Sequence, residues 1–529
     1  MGGFFQPCLP LNLEVQIPED DPVRLLRYCI GGMDISALER TYRRIDRNLA
    51  SPRQMLAILI YAGMNRIFSS RSIETACHRD INFMYLLEGK PAPDHATIAR
   101  FRSKHLAPCI KELFAQMDFL LLDFGVISLD SIFIDGTKIE SVANKYKFVW
   151  KKTVIKNRDK LLAKLPSFLA KLNKDLGLSL YCNKKIGLHH LKKIRRRLRA
   201  MQKQQEVVFV HGIGKHKSLL QRDFEELDGY IQRLKDYYWK IHTCGQRNSF
   251  AKTDTDATFM RMKEDAMRNG QLKPAYNLQY GIDSEFVTWA TISPQPTDTT
   301  TLKPFLQDLE KHLYRNYRNI VADAGYESEE NYTYLEQNQQ TAFIKPNNYE
   351  TSKTRKWRND IGRRENMTYL PEQDAYECAN HKLLKFSHTF NSKTQTGYVS
   401  EKSVYACADC QDCPLKERCI HGNNWKKPSE ERFKKLTVAK KFVRQRQDDL
   451  ERIKTKKGIL LRLNRSIQAE GSFADVKANL SFRRFLSKGN ANVLVESMLL
   501  AMAHNILKLH HKIQAGHTFR HLMAVDKVA

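Results

Sequence analysis

Between positions 22 and 125 apolar residues recur at helical spacing in four stretches: PVRLLRYCIGG, SPRQMLAILIYAGMNRIF, SSRSIETACHRDINFMYLL and PDHATIARFRSKHLAPCIKELFAQMDFLLLDFG. Ser51 before Pro52 reads as an N-cap with proline in the first turn, and Ser70 and Asp94 read as the next caps. The pattern changes at DSIFIDGT, residues 130 to 137, where a β-branched and aromatic run closes on Asp135 and Gly136. Such a run predicts a buried strand that delivers a carboxylate at its end. Helical periodicity returns from about 145 to 245, now crowded with lysine and arginine.

Strand signals resume at AYNLQYGIDS and FVTWATISPQ, followed by the helical TLKPFLQDLEKHLYR, the strand-like NIVADAGY with Asp323, the helical ESEENYTYLEQN and the strand-like TAFIKP. Strands interleaved with helices predict an α/β layer with a mixed sheet. Residues 347 to 450 read as irregular, and GILLRLNRSIQAEGSFADVKANL and NANVLVESMLLAMAHNILKLHHKI as helices. The expected organisation is a helical domain over 1–125, the start of the α/β core over 126–150 and a basic helical insertion over 151–250. The core continues over 251–346, a cysteine-rich insert covers 347–450 and C-terminal helices cover 451–529.

Charge narrows the partner. Lysine and arginine number 87 against 58 acidic residues, a formal net charge of +29, which favours a polyanion. DNA comes first. A membrane is disfavoured because no long apolar run occurs, the start lacks a signal-peptide pattern, and Gln6 stands where a myristoylation motif has Ser or Thr. The expected location is the cytoplasm, in association with the nucleoid. Arg100, Arg102 and Lys104 on a short helix suit helix-turn-helix-type contact, against the plainer reading of a solvated basic face. Arg195, Arg196 and Arg197, in a longer basic run, suit sequence-independent contact with phosphates. RNA is disfavoured, since no aromatic-rich strand of the RNP type appears.

Two-metal phosphoryl transfer needs carboxylates converging on divalent ions. Asp135 and Asp323 each close a strand-like run and are followed by a small residue, which leaves room for metal and DNA backbone. Glu470 lies seven residues before Lys477, two α-helical turns, so a carboxylate and an ammonium would share a face. Glu496 is the rival third acid, with a water-facing position at the start of a helix as its plainer explanation. An aspartate at a strand end is more often a turn former, so each acid alone is weak evidence.

The cysteines divide into two groups. Cys8, Cys29, Cys77, Cys109, Cys182 and Cys244 are scattered and read as reduced, mostly buried thiols, whereas Cys407, Cys410, Cys413 and Cys419 follow one another as C-x2-C-x2-C-x5-C. Four thiolates so spaced can close around a structural zinc ion, with an iron–sulfur cluster as the second reading and Cys378 as a further ligand candidate.

Taken together these stretches resemble the DDE transposases of bacterial insertion sequences, in the branch with an N-terminal helical domain and a cysteine-rich insert. The resemblance is carried by SSRSIETACHRDINFMYLLEGKPAPDHATIARFR, DGTKIESVANKYKFVWKK, KTDTDATFMRMKE, KPAYNLQYGID, VADAGYES, YACADCQDCPLKERC and EGSFADVKANLSFRRFLSKGNANVLVE. It implies an N-terminal DNA-binding domain and a ribonuclease H-like core. It also implies Asp135, Asp323 and Glu470 as catalytic ligands of two Mg2+ or Mn2+ ions, and Lys477 as the lysine that follows the glutamate in the family signature. Terminal inverted repeats and target DNA would be the substrates, bound by a homodimer or higher oligomer. Relatives with the fuller signature carry an arginine four residues before the glutamate, where this chain has Ser466. On an ideal helix Arg462 lies closer to the face of Glu470 than Arg465 does, which makes Arg462 the expected substitute. Two other functions fit the same features: a transposase-derived DNA-binding protein without catalysis, and a nuclease that cuts without joining.

Overall fold

The computed structural model describes residues 13–180, 186–262, 270–420, 428 and 431–523. The N-terminal start with Cys8 and Gln6, and Cys182, lie outside the described residues. The chain forms two compact units, one built from residues 1–139 and 277–529 and the other from 140–276.

In the first unit the expected N-terminal helices form, but the stretch SSRSIETACHRDINFMYLL divides at the extended Asp80 into Ser70–Arg79 and Ile81–Leu87. Ser51 caps Pro52–Met64 in a reciprocal capping box with Gln54. Asp94 caps His95–Arg100 through the Thr97 N–H, and Ser69 rather than Ser70 caps Ser70–Arg79. The single long helix expected after Asp94 is interrupted: a π-helical turn, Phe101–Leu106, separates His95–Arg100 from Ile110–Asp123.

The strands of the core are β1 (Ser131–Glu140), β2 (Phe148–Trp150), β3 (Ser249–Ala251), β4 (Thr258–Arg261), β5 (Leu272–Asp283), β6 (Phe286–Ser293), β7 (Asn319–Ala322) and β8 (Thr341–Ile344). The sheet of the first unit runs β6-β5-β1-β7-β8. β1, β7 and β8 are parallel neighbours, while β5 and β6 form an antiparallel hairpin. It is therefore a mixed sheet. Its apolar interior includes Ile132, Ile134, Tyr280, Trp289, Ile320 and Val321, all fully buried. Burial on this scale is worth about 1.5–3 kcal/mol for each large aliphatic side chain.

The edge strand β6 is covered by the long helix Asn490–Gln514. Asn505 reproduces a strand partner there, its Oδ1 accepting the Val287 N–H and its Nδ2 donating to the Val287 carbonyl, both at 2.8 Å. The same helix packs on Pro52–Met64, where a Cβ on Gly63 would come within 3.2 Å of the Ala503 methyl.

Residues 347–450, expected to be irregular, contain a five-stranded antiparallel sheet. Its strands are β9 (Thr368–Leu370), β10 (Ala375–Glu377), β11 (Leu383–Lys393), β12 (Val399–Ala406) and β13 (Lys435–Val438), in the order β13-β12-β11-β10-β9. Beyond Leu384 nearly every residue of β11 is exposed on both faces, so no apolar alternation marks the strand.

The second unit holds three helices, Lys151–Leu176, Leu188–Gln204 and Leu219–Cys244, around a core that includes Leu165, Leu172, Leu191, Leu198, Leu227 and Leu234. β2 pairs with β3, and β4 pairs with the opening residues of β5. Among the described residues no helix is long and apolar enough to cross a membrane.

Candidate active site

β1 and β7 run side by side with Ile134 opposite Ala322, and the next residue on each is an aspartate, Asp135 and Asp323. Adjacent strands lie about 4.8 Å apart, so the register brings two carboxylate-bearing positions to one place on the sheet. Asp135 does not end its strand, as the sequence predicts. It stands within β1, at the point where the shorter β7 stops. Its Oδ1 accepts the Gly136 N–H at 2.8 Å, and the side chain is largely buried. Asp323 lies just past β7, where its Oδ1 accepts the Gly325 N–H at 2.8 Å and caps the short turn Ala324–Tyr326.

Of the two glycines beside these acids, Gly136 leaves no room for a side chain and Gly325 leaves little. A Cβ on Gly136 would meet Gln279 Nε2 at 2.4 Å and Asp298 Oδ1 at 2.8 Å; one on Gly325 would meet Asp323 Oδ1 at 3.0 Å and Asp298 Oδ2 at 3.5 Å. Asp298 therefore packs against both glycines, on the Asp323 side through Oδ2 and against β1 at Gly136 through Oδ1, a neighbour that the sequence pattern does not single out. Beneath them lies Tyr326, whose phenol is held well above its ordinary pKa by burial first and then by the charges of Asp298, Asp135 and Asp323.

Glu470 reaches the same region from the C-terminal helices. Its side chain is 59 % exposed and pairs with Arg465, whose Nη2 is 3.2 Å from Glu470 Oε1 and whose Nη1 is 3.6 Å from Asp135 Oδ2. A guanidinium cation thus bridges two of the three acids. The sequence favours Arg462 only if the segment is an α-helix, but residues Ser466–Glu470 form a π-helical turn. A π turn matches residues five apart, the spacing of Arg465 and Glu470. Arg462 lies elsewhere, 5.5 Å above the Tyr349 ring, with a buried Nε that has no hydrogen-bond partner. A second π turn, Asp475–Asn479, contains Lys477, so the segment from Glu470 to Lys477 is not the regular α-helix that the two-turn spacing requires. Glu496, expected to face water, is buried and accepts from the Ser487 hydroxyl and the Leu486 N–H.

The basic residues divide by exposure. Arg100 and Lys104 are exposed. Arg102 is turned inward: its Nη2 donates to the Phe68 carbonyl at 2.9 Å, its Nε is buried, and Glu496 acts on it electrostatically. Residues two apart lie on opposite sides of a helix, so Arg100 and Arg102 cannot share a DNA-facing surface. In the second unit Arg196 and Arg197 are exposed, while Arg195 is exposed but paired with Asp228 and lies over the Phe224 ring.

Cys378, Cys407, Cys410, Cys413 and Cys419 line one small pocket beside β11 and β12. Cys410 Sγ accepts the Lys434 N–H at 3.4 Å and Cys413 Sγ the Asn380 side-chain amide at 3.5 Å. Among the described residues, no three His, Cys, Asp or Glu side chains are grouped so as to hold a metal ion as they stand. Of the scattered cysteines, Cys29, Cys77, Cys109 and Cys244 are free and buried, as expected.

Two families match the chain: "Transposase domain (DUF772)" over residues 11–104 and "Transposase DDE domain" over residues 377–510. The first match includes Arg100, Arg102 and Lys104; the second includes the cysteine cluster and Glu470; Asp135 and Asp323 lie outside both. Neither the curated proteins nor the solved structures contain a match to the chain. In its N-terminal part the chain is thus similar to a transposase domain, and in its C-terminal part to the DDE domain of transposases.

Proposed function

We propose that this chain binds the terminal inverted repeats of an insertion sequence and catalyses DNA cleavage and strand transfer, with Asp135, Asp323 and Glu470 holding two Mg2+ or Mn2+ ions. The observation that carries this reading is the side-by-side placement of Asp135 and Asp323 after register partners on parallel strands, with a cation, Arg465, between Asp135 and Glu470. A guanidinium drawn to these carboxylates marks where positive charge is stabilised, and exchange of Arg465 for a divalent ion would complete the ligand set. The strand order β6-β5-β1-β7-β8, with an antiparallel hairpin on one side and parallel strands on the other, supports a ribonuclease H-like core.

Divalent ions bound there would lower the pKa of an attacking water or 3′-hydroxyl and offset charge on the scissile phosphate. The chain's own residues do the rest. Asp135 and Asp323 would hold the ions, Gly136 and Gly325 let Gln279 and Asp298 pack close beside them, and Arg465, if displaced from Asp135, would be free to donate to phosphate. We place end recognition in residues 1–125, through Arg100 and Lys104, and sequence-independent grip in the basic insertion, 151–250. Arg462 and Lys477 remain candidates for phosphate contact. A homodimer or higher oligomer would hold two ends together.

The test is incubation of the purified chain with duplexes carrying the repeats that flank its gene, a supercoiled target and Mg2+. The expected products are free 3′-hydroxyl ends and end-to-target joints, both lost with EDTA. Cutting without joints would favour the nuclease reading, and binding without Mg2+-dependent cleavage the non-catalytic one.

The basic insertion gives a separate expectation. Changing Lys193, Arg196 and Arg197 to glutamine weakens binding to repeat and random DNA alike. It also flattens the slope of log K against log salt by up to about 0.9 for each phosphate no longer neutralised. Competition titrations at several salt concentrations measure it; a loss of preference for the repeats would contradict it.

We also propose that the cysteine pocket takes one structural Zn2+, with four of Cys378, Cys407, Cys410, Cys413 and Cys419 as ligands. Four sulfur ligands leave no open coordination position, so the ion would stabilise the five-stranded sheet and not the reaction. Elemental analysis of protein purified under reducing conditions should find about one zinc per chain. Iron in its place, or no metal, would reject the assignment.

A further inference from the structure

Asp298 opens the short turn Asp298–Thr300, ahead of the helix Leu302–Leu313, where an aspartate ordinarily accepts backbone amides of its own turn. Its side chain is employed differently. Oδ1 accepts from Asn277 Nδ2 at 2.7 Å and from Gln279 Nε2 at 2.9 Å, both from β5. These two amides are themselves fixed: Gln279 Nε2 also donates to Asn277 Oδ1 at 3.0 Å, while Gln279 Oε1 accepts from the Thr301 and Tyr326 hydroxyls. Asn277 and Gln279 are 1 % and 0 % exposed, so the network is rigid and closed to water.

Both donors on Oδ1 are neutral and leave the charge of Asp298 in place. Oδ2 is turned toward Gly325, 3.5 Å from the point where a Cβ would stand, with Asp323 Oδ1 3.0 Å from that same point. Oδ1 in turn stands 2.8 Å from the Cβ position of Gly136, so that Asp298 packs on β1 next to Asp135, on the strand's other face.

We infer that Asp298 is a further carboxylate of the divalent-metal site, aimed by Asn277 and Gln279, and that it sets the affinity of the site for metal. This rests on the reading of Asp135 and Asp323 as metal ligands. Replacing Asp298 by asparagine separates its two oxygens chemically: an amide carbonyl can still accept from Asn277 and Gln279, while the group facing Asp323 becomes a neutral donor. A purely structural role would survive that exchange.

The experiment titrates the full-length protein with Mn2+, following the paramagnetic signal of the free ion, and measures the Mg2+ concentration that half-saturates end cleavage. Asp298→Asn is expected to weaken Mn2+ binding about tenfold and to raise the half-saturating Mg2+ by a similar factor, with repeat binding in EDTA unchanged. Asn277→Ala, which removes one of the two donors aiming the carboxylate, should show a smaller shift of the same sign and decides the matter if Asp298→Asn does not fold. Wild-type Mn2+ affinity in Asp298→Asn, or in Asn277→Ala if only that variant folds, while Asp323→Asn has lost binding, overturns the inference and leaves the active-site reading intact. Wild-type affinity in Asp323→Asn as well overturns both.

Discussion

Asp323→Asn should cleave the element's ends about a thousandfold more slowly than the wild type, a loss near 4 kcal/mol of transition-state stabilisation, while binding the repeats as tightly. The expectation follows from what the substitution preserves. An asparagine carbonyl can still accept the Gly325 N–H that Asp323 Oδ1 receives at 2.8 Å, so the turn Ala324–Tyr326 and the end of β7 stay in place. What disappears is a negative charge beside Asp135. Asp135→Asn should behave alike, since its carbonyl can keep the Gly136 N–H while its attraction for Arg465 falls. Gel-shift titration in EDTA and single-turnover cleavage in Mg2+ separate binding from chemistry. Cleavage within tenfold of wild type would remove the substituted residue from the ligand set.

Gly136→Ala should destabilise the core around the two strand acids. The added methyl would stand 2.4 Å from Gln279 Nε2 and 2.8 Å from Asp298 Oδ1. Neither atom can yield cheaply, because Gln279 is fully buried and holds Asn277, Thr301, Tyr326 and Asp298 in one network. Overpacking of this kind costs about 1–3 kcal/mol, and the break in the network adds to it. The urea midpoint should fall accordingly, and end cleavage should fall with it as the carboxylates spread. Gly229→Ala is the control: its Cβ would come no closer than 3.9 Å to an Arg233 terminal nitrogen, and a helix-interior glycine replaced by alanine should gain up to about 1 kcal/mol. Equal midpoints for the two variants would refute the packing argument.

The elements that carry their own apolar pattern are legible. IFID and NIVAD announce β1 and β7 because a buried parallel strand is a short unbroken apolar run, and the acids that follow need only the register to meet. Strand β11 is illegible for the opposite reason, since SHTFNSK is exposed on both faces and no alternation survives. Arg465 escapes notice through one assumption: five residues separate it from Glu470, a poor match for an α-helix and a good one for the π turn that forms. Asp298 is hidden because PTDTT before a helix looks like an ordinary turn. Its meaning depends on Asn277 and Gln279 of β5, about twenty residues earlier, and spacing along the chain does not reveal that pairing.

The helix Asn490–Gln514 closes the edge of β6 and also seats Pro52–Met64, so an early and a late segment of the chain share one interior. During synthesis at a typical rate of about 5–20 residues per second, the ribosome would hold this chain with an open sheet edge and an uncovered helical face until residue 514 has emerged. Folding therefore cannot finish domain by domain from the N-terminus. A frameshift or stop codon shortly before Asn490 would yield no half-working protein, only a sticky, protease-sensitive fragment. A copy cut short there would thereby lose its fold with the helix Asn490–Gln514, even with Asp135, Asp323 and Glu470 still encoded.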